Sequence, residues 1–144
     1  VSEAISTGAA PRPVGSYPHA RRVDELLFLS GIGPRSPQDN SIPGNRHDAE
    51  GRLIDYDIIA QTRAVLANVC TVLEASGARV EDLVDVTVYL TDMAADFSAY
   101  NAVWAEHFPD PAKAPCRTTL GISALPTPIA IELKCVARLG PDRR

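Results

Sequence analysis

The sequence predicts a two-layer α+β fold in the order β-β-α-β-α-β-β, and three observations lead to it. Short apolar runs with strand character stand at "LLFLSG", "LVDVTVYL" and the C-terminal "IAIELKCVARL". Two longer stretches, one on each side of "LVDVTVYL", carry apolar residues at helical spacing. Each helix follows a strand region, and two helices can cover only one face of a shared sheet. A chain of 144 residues is long enough for one real core, so a single domain over 1–144 is expected.

Taken in order, the segment to Val14 is small and polar and reads as a loose arm. "YPHARRV" then leads into Leu26 to Gly31, an apolar run closed by glycine; the two make the opening β-β pair. Residues 33–51, "GPRSPQDNSIPGNRHDAEG", are rich in Pro, Gly, Asn and Asp and form a long loop, a kind usually tied to function or mobility. From Asp57 to Ser76 a stripe of Ile58, Thr62, Val65, Val69 and Val72, widened by Ile59, Leu66 and Leu73, predicts a helix. Asp55 or Asp57 can cap its start and Gly77 can end it. In "LVDVTVYL", Val84, Val86, Val88 and Leu90 alternate with Asp85, Thr87 and Tyr89, which gives a sheet with two unlike faces. A second helix over about 94–108 places Phe97, Tyr100, Asn101, Trp104 and Phe108 on one side. Strands over 117–123 and 129–139 follow, joined by "ALPTP".

Bulk composition narrows the function. Hydrophobic residues make up 45% and charged residues 22%, with a net charge of -4 and a pI near 5.3. That balance argues against binding a phosphate backbone, which needs a basic face. Local basic character is confined to Arg12, Arg21, Arg22, Arg35 and Arg46 in the first third. No apolar run reaches the roughly 18 residues of a membrane span, and the N-terminal stretch has no apolar leader core, so a cytoplasmic protein without membrane partners is expected. Cys70, Cys116 and Cys135 are odd in number and far apart, which suits structural thiols. His19, His47 and His107 have no metal-ligand spacing, and no metal or organic cofactor is expected.

The last strand poses the functional question. Ile129, Ile131, Leu133, Cys135 and Ala137 belong under the helices. Ala130, Glu132, Lys134, Val136 and Arg138 belong on the open face, which is apolar enough to predict oligomerisation. Arg117 on the strand before is expensive on a buried face without an anionic partner, and its planar fork suits a carboxylate.

"GSYPHA", "LFLSG", "YNAVWAEHF" and "PCRTTLGISALP…IAIELKCVA", with fifteen residues from Arg117 to Glu132, resemble the Rid family of reactive-intermediate (enamine/imine) deaminases over about 15–139. The resemblance implies a homotrimer around an inner sheet barrel, with sites in the clefts between subunits. It implies that Arg117 binds the substrate carboxylate and Glu132 orients water. It places Tyr17, Ser30, Gly31 and Asn101 around the substrate. Many members have cysteine where this chain has Thr119, so no cysteine is assigned a catalytic role. Within the family "GSYPHARRVDELLFLSG" followed by the long loop looks most like 2-aminomuconate deaminase, which implies hydrolysis of 2-aminomuconate in aromatic-compound catabolism.

The chemistry follows from the residue types. An enamine acid tautomerises to an imine, water adds to the imine carbon, and ammonia leaves. A carboxylate beside that water can take and return the proton, an effect of about 10²–10⁴ in rate. Thr118, Thr119 and His19 can add hydrogen bonds to the substrate. A dicarboxylate needs a second cation, for which His19, Arg21, Arg35 and Arg46 are candidates. Plainer roles stand beside these: an interface ion pair for Arg117 and Glu132, a strand anchor for Tyr17, turn chemistry for Ser30, polar packing for Asn101, good β-formers in Thr118 and Thr119, and a solvated loop position for His19. The alternatives at the level of function are a general 2-aminoacrylate-type deaminase, a trimer that only binds small carboxylates, and a nucleic-acid-directed activity.

Overall fold

The computed structural model describes residues 2–140. Its strands are β1 Ser2–Ile5, β2 Ala20–Val23, β3 Leu26–Leu29, β4 Arg46–His47, β5 Leu53–Asp55, β6 Leu83–Leu90, β7 Cys116–Gly121 and β8 Ile131–Arg138. The helices are α1 Ile58–Ala75 and α2 Met93–His107. Six strands form one sheet in the order β1-β2-β3-β8-β6-β7; β4 and β5 pair separately. Every neighbour in the large sheet is antiparallel except β6 and β7. That parallel pair requires a crossover, and α2 supplies it. Both helices lie on one face, as the periodicity predicts. The core between the layers holds Leu27 and Leu29 of β3, Val86, Val88 and Leu90 of β6, Leu133 and Cys135 of β8, and Val65, Val69 and Val72 of α1, all buried.

The predicted caps of α1 are real. Asp57 accepts a hydrogen bond from the Ala60 N–H at 3.0 Å. At the far end, the Gly77 N–H donates to Glu74 O and the Ala78 N–H to Leu73 O. Gly77 sits at φ +78°, the left-handed conformation that this C-terminal motif needs. α1 is also long and apolar enough for a membrane span, with a mean hydropathy of 1.2 over its 18 residues. Half of it is buried against the protein, and Gln61 and Asn68 lie on its inner side, so it is a core helix.

Two expectations are corrected and one is refined. The first residues are not a loose arm: Ser2–Ile5 pairs with Ala20–Val23 and extends the sheet by one strand. The loop over 33–51 contains β4 and is tied to α1. The Asn68 amide donates to Gly33 O and Arg35 O at 2.8 and 2.9 Å, and the Gln61 amide donates to Asn45 Oδ1 at 3.0 Å. Val84 does not face the helices. The β6–β8 register shifts between Leu83 and Asp85, so Leu83 turns inward and Val84 is left 46% exposed. One extra residue at a bulge reverses the face of what precedes it.

The open face behaves as predicted at its centre. Glu132, Lys134 and Val136 alternate with fully covered Leu133 and Cys135. Leu26, Phe28 and Leu120 are large exposed apolar side chains in the same sheet. Ala130 is the exception: it lies before β8, is buried, and its N–H donates to Gln61 Oε1 at 2.8 Å.

Candidate active site

Arg117 is the second residue of β7, paired with Val86 of β6, and therefore faces α2. Asp92 caps α2 by accepting from the Ala95 N–H, which fixes where the helix begins and so which side chains meet β7. Tyr100 and Trp104, four residues apart, stack along one face. The Arg117 guanidinium lies 5.1 Å from the centroid of each ring. One of its nitrogens donates to Asn101 Oδ1 at 2.9 Å. The Tyr100 hydroxyl is 2.8 Å from Thr119 Oγ1. Burial raises the Tyr100 pKa, against the opposing pull of the Thr119 hydrogen bond and the Arg117 charge. The result is a cation fixed by two aromatic faces and a neutral amide. Among the described residues no carboxylate pairs with it. An arginine held in this way keeps most of its donors for a ligand.

Glu132, on β8, is paired with Tyr89 of β6 and points to the opposite face. It is half-buried, and burial alone pushes its pKa up. Its carboxylate lies against Gly31: a Cβ added there would come within 2.8 Å of Oε2. Glycine at position 31 is thus what lets the carboxylate sit where it does. Next to it, the Ser30 hydroxyl donates to Pro18 O at 2.7 Å and the Ser30 N–H to His19 O at 2.9 Å, which ties the entry segment to the end of β3. Tyr17, His19, Ser30 and Gly31 line one small hollow of about 30 Å³, room for a water molecule. A larger open hollow of about 700 Å³ lies on the other side of Tyr17, lined also by Arg12, Pro13 and Asn40. Arg117 lines neither.

The predicted residues therefore separate into two groups. Arg117, Asn101 and Thr119 gather at α2. Glu132, Gly31, Ser30, Tyr17 and His19 gather at the end of β3. With β6 between β7 and β8, the two strands lie about 10 Å apart and the two side chains leave opposite faces. Arg117 and Glu132 thus form no ion pair within one chain. Thr118 is exposed on the Glu132 face.

His19 is corrected from a solvated position to a buried brace. Its Nδ1 accepts from the Thr7 N–H at 3.2 Å, and its Nε2 lies 2.8 Å from Pro11 O. Accepting at one nitrogen and donating at the other, it holds the arm and has no free donor for a substrate. Arg21 donates to Ser2 Oγ and lines neither hollow, and Arg46 is paired with Asp55 at 3.3 Å, so neither supports a role as second cation. The sequence reading placed Tyr100 and Trp104 on one side of α2 but missed that they clamp Arg117. Their four-residue spacing around Asn101 was the available signal. It also missed Asp96, a buried carboxylate accepting from the Tyr56 hydroxyl at 2.6 Å, with its pKa raised mainly by burial. No group of side chains suited to a metal ion occurs among the described residues.

Known proteins share this arrangement of strands and helices. A family model described as Endoribonuclease L-PSP matches residues 7–139. The chain is 36% identical to a RutC family protein of Pyrococcus horikoshii, over 95% of this chain and 98% of that one. It is 35% identical to Reactive Intermediate Deaminase A, chloroplastic, of Arabidopsis thaliana, over 95% of this chain and 66% of that one. Among solved structures, E. coli TdcF with bound serine superposes with a TM-score of 0.81 at 28% identity, covering 96% of this chain and 99% of that chain. Yeast Mmf1 superposes with a TM-score of 0.82 at 27% identity, covering 97% and 100%. With a family model spanning nearly the whole chain and a two-layer fold that matches throughout, this protein belongs to the Rid family, the group of RutC-type and reactive-intermediate deaminase proteins.

Proposed function

We propose that this protein hydrolyses the C–N bond of enamine and imine acids, releasing ammonia and a 2-oxo acid. One observation carries the reading: the Arg117 guanidinium is fixed between Tyr100 and Trp104, anchored by Asn101, and left without an anionic partner among the described residues. A held, unneutralised fork calls for a carboxylate ligand. The reaction supplies one next to the carbon that water attacks. The serine bound by TdcF and the deaminase named among the relatives agree with this class of ligand and chemistry.

The roles follow from the two groups of residues. Arg117 grips the substrate carboxylate. The enamine is protonated at carbon and becomes the imine. Glu132, whose raised pKa brings it closer to neutrality than an ordinary glutamate, takes a proton from the attacking water. The carbinolamine forms, the proton passes to nitrogen, and ammonia leaves as the carbonyl forms. Gly31 gives Glu132 its place, Ser30, Tyr17 and Thr118 line the way to it, and Thr119 braces the Arg117 clamp through Tyr100. Since Arg117 and Glu132 leave opposite faces of one sheet, we place them in one site by bringing copies together. The apolar open face, with Leu26, Phe28 and Leu120 exposed, supports a homotrimer built on it. As specific substrate we propose 2-aminomuconate, within the breakdown of aromatic compounds. A polynucleotide substrate fits less well, because acidic residues outnumber basic ones by 18 to 14.

The test is direct. Freshly generated enamine acid is mixed with the protein, and ammonia release and ultraviolet loss are followed against the spontaneous rate. Acceleration that disappears in Arg117→Ala is expected. A wild-type rate equal to the spontaneous one, with the ligand still bound, leaves only a carboxylate-binding protein.

A further inference from the structure

We propose that the hollow beside Tyr17 is a second anion subsite, formed by Arg12 with Arg35 behind it, which selects doubly acidic ligands over singly acidic ones. The proposal rests on the deaminase reading for what is processed there, but its binding claim is separately measurable.

The first observation is charge left uncompensated. Elsewhere on the surface Arg46, Arg52, Arg63 and Arg138 each pair with a carboxylate at 3.0–3.3 Å. Arg12 and Arg35 have no such partner among the described residues, in a chain whose net charge is -4. A guanidinium with no carboxylate partner keeps its charge available to an anion.

The second observation is rigidity. The Arg35 guanidinium donates to Arg12 O at 2.8 Å and to Asn40 Oδ1 at 3.0 Å. Its own carbonyl accepts from the buried Asn68 amide of α1. Arg35 thus fixes the backbone at Arg12, while both of its contacts are neutral and leave its charge intact. Arg12 lines the large hollow together with Tyr17 and Asn40.

The third observation is continuity. Tyr17 and His19 line both the large hollow and the small one that reaches Ser30 and Gly31, against which the Glu132 carboxylate lies. A ligand whose reacting end is beside Gly31 can run past the Tyr17 ring and present a second acidic group to Arg12. The ligand class is a short dicarboxylate with its acid groups separated by several carbons.

The experiment uses the intact protein, with adipate and hexanoate as unreactive six-carbon probes. Their affinities are measured by calorimetry at low salt for wild type and Arg12→Gln. Gln at position 12 keeps the backbone carbonyl that Arg35 uses. Wild type is expected to bind adipate about tenfold more tightly than hexanoate, as one charge-assisted contact provides. That preference should weaken with added salt and vanish in Arg12→Gln, with hexanoate affinity unchanged. Equal affinities in wild type, no adipate binding at all, or a preference that survives Arg12→Gln each overturn the subsite. Loss of the deaminase reading alone shows differently: the preference is present and depends on Arg12, yet no enamine acid is hydrolysed faster than in buffer.

Discussion

Glu132 is a half-buried carboxylate with neither a cation nor a donor beside it among the described residues, and burial is the sole cause of its raised pKa. Such a group weakens the fold and is therefore expected at a working site. As general base it must be ionised, so kcat/KM should fall as pH drops through a value above the ordinary 4.5. The stability effect has the opposite sense. Between the ordinary and the raised value the folded protein holds a proton that the unfolded chain has lost, so stability falls as pH rises through that window. Glu132→Gln should therefore slow turnover by about 10²–10⁴ while raising Tm at neutral pH, an advantage that shrinks toward pH 4. A variant that is slower and also less stable at pH 7 contradicts this. Gly31→Ala should act through the same carboxylate. The new Cβ meets the flexible end of Glu132 at 2.8 Å, and the backbone there is unstrained. Turnover should drop at least tenfold, with denaturant stability changed by less than about 1 kcal/mol.

α2 acts as an element that places a cation. Its start is set by Asp92, its inner face by Tyr100 and Trp104, and Arg117 lies across that face. Tyr100→Phe keeps the ring but frees Thr119, and should raise KM about threefold to tenfold with kcat little changed, the effect of one hydrogen bond near 1 kcal/mol. An unchanged KM argues that Thr119 has no part in holding the clamp. At the start of α1, Gly44 has φ +81° and lies so near the capping Asp57 that a Cβ would meet its Cβ at 2.5 Å. Gly44→Ala should cost about 1–3 kcal/mol in urea unfolding, by strain and by displacing the cap. The sequence carried most of this scale. Helical spacing located α1 and α2 to within a residue or two, and alternation sorted β8 correctly. Val84 escaped because alternation cannot register a bulge. β1 escaped because "SEAI" is short, polar at its start and exposed along most of its length, and becomes a strand only through its pairing with β2.

For the whole molecule, the sequence named candidate site residues but could not show how they divide. Arg117 and Glu132 are fifteen residues apart along the chain, yet register places them on opposite faces of one sheet with β6 between their strands. His19 looked available in sequence and is closed off by two backbone contacts that only the folded arm creates. Arg35 is a candidate second cation in the sequence and Arg12 is not; the hydrogen bond between them exists only because the loop is tied to α1. One copy presents its cation on one face and its carboxylate on the other, so the proposed chemistry requires copies to come together. The most direct measurement is complementation. Arg117→Ala and Glu132→Gln chains, each inactive alone, are co-expressed with different tags, and mixed oligomers are purified. If each site takes Arg117 from one copy and Glu132 from its neighbour, one site in three is intact in every mixed trimer, so about a third of wild-type activity should return. Mixed oligomers no more active than either parent would contradict a site shared between copies.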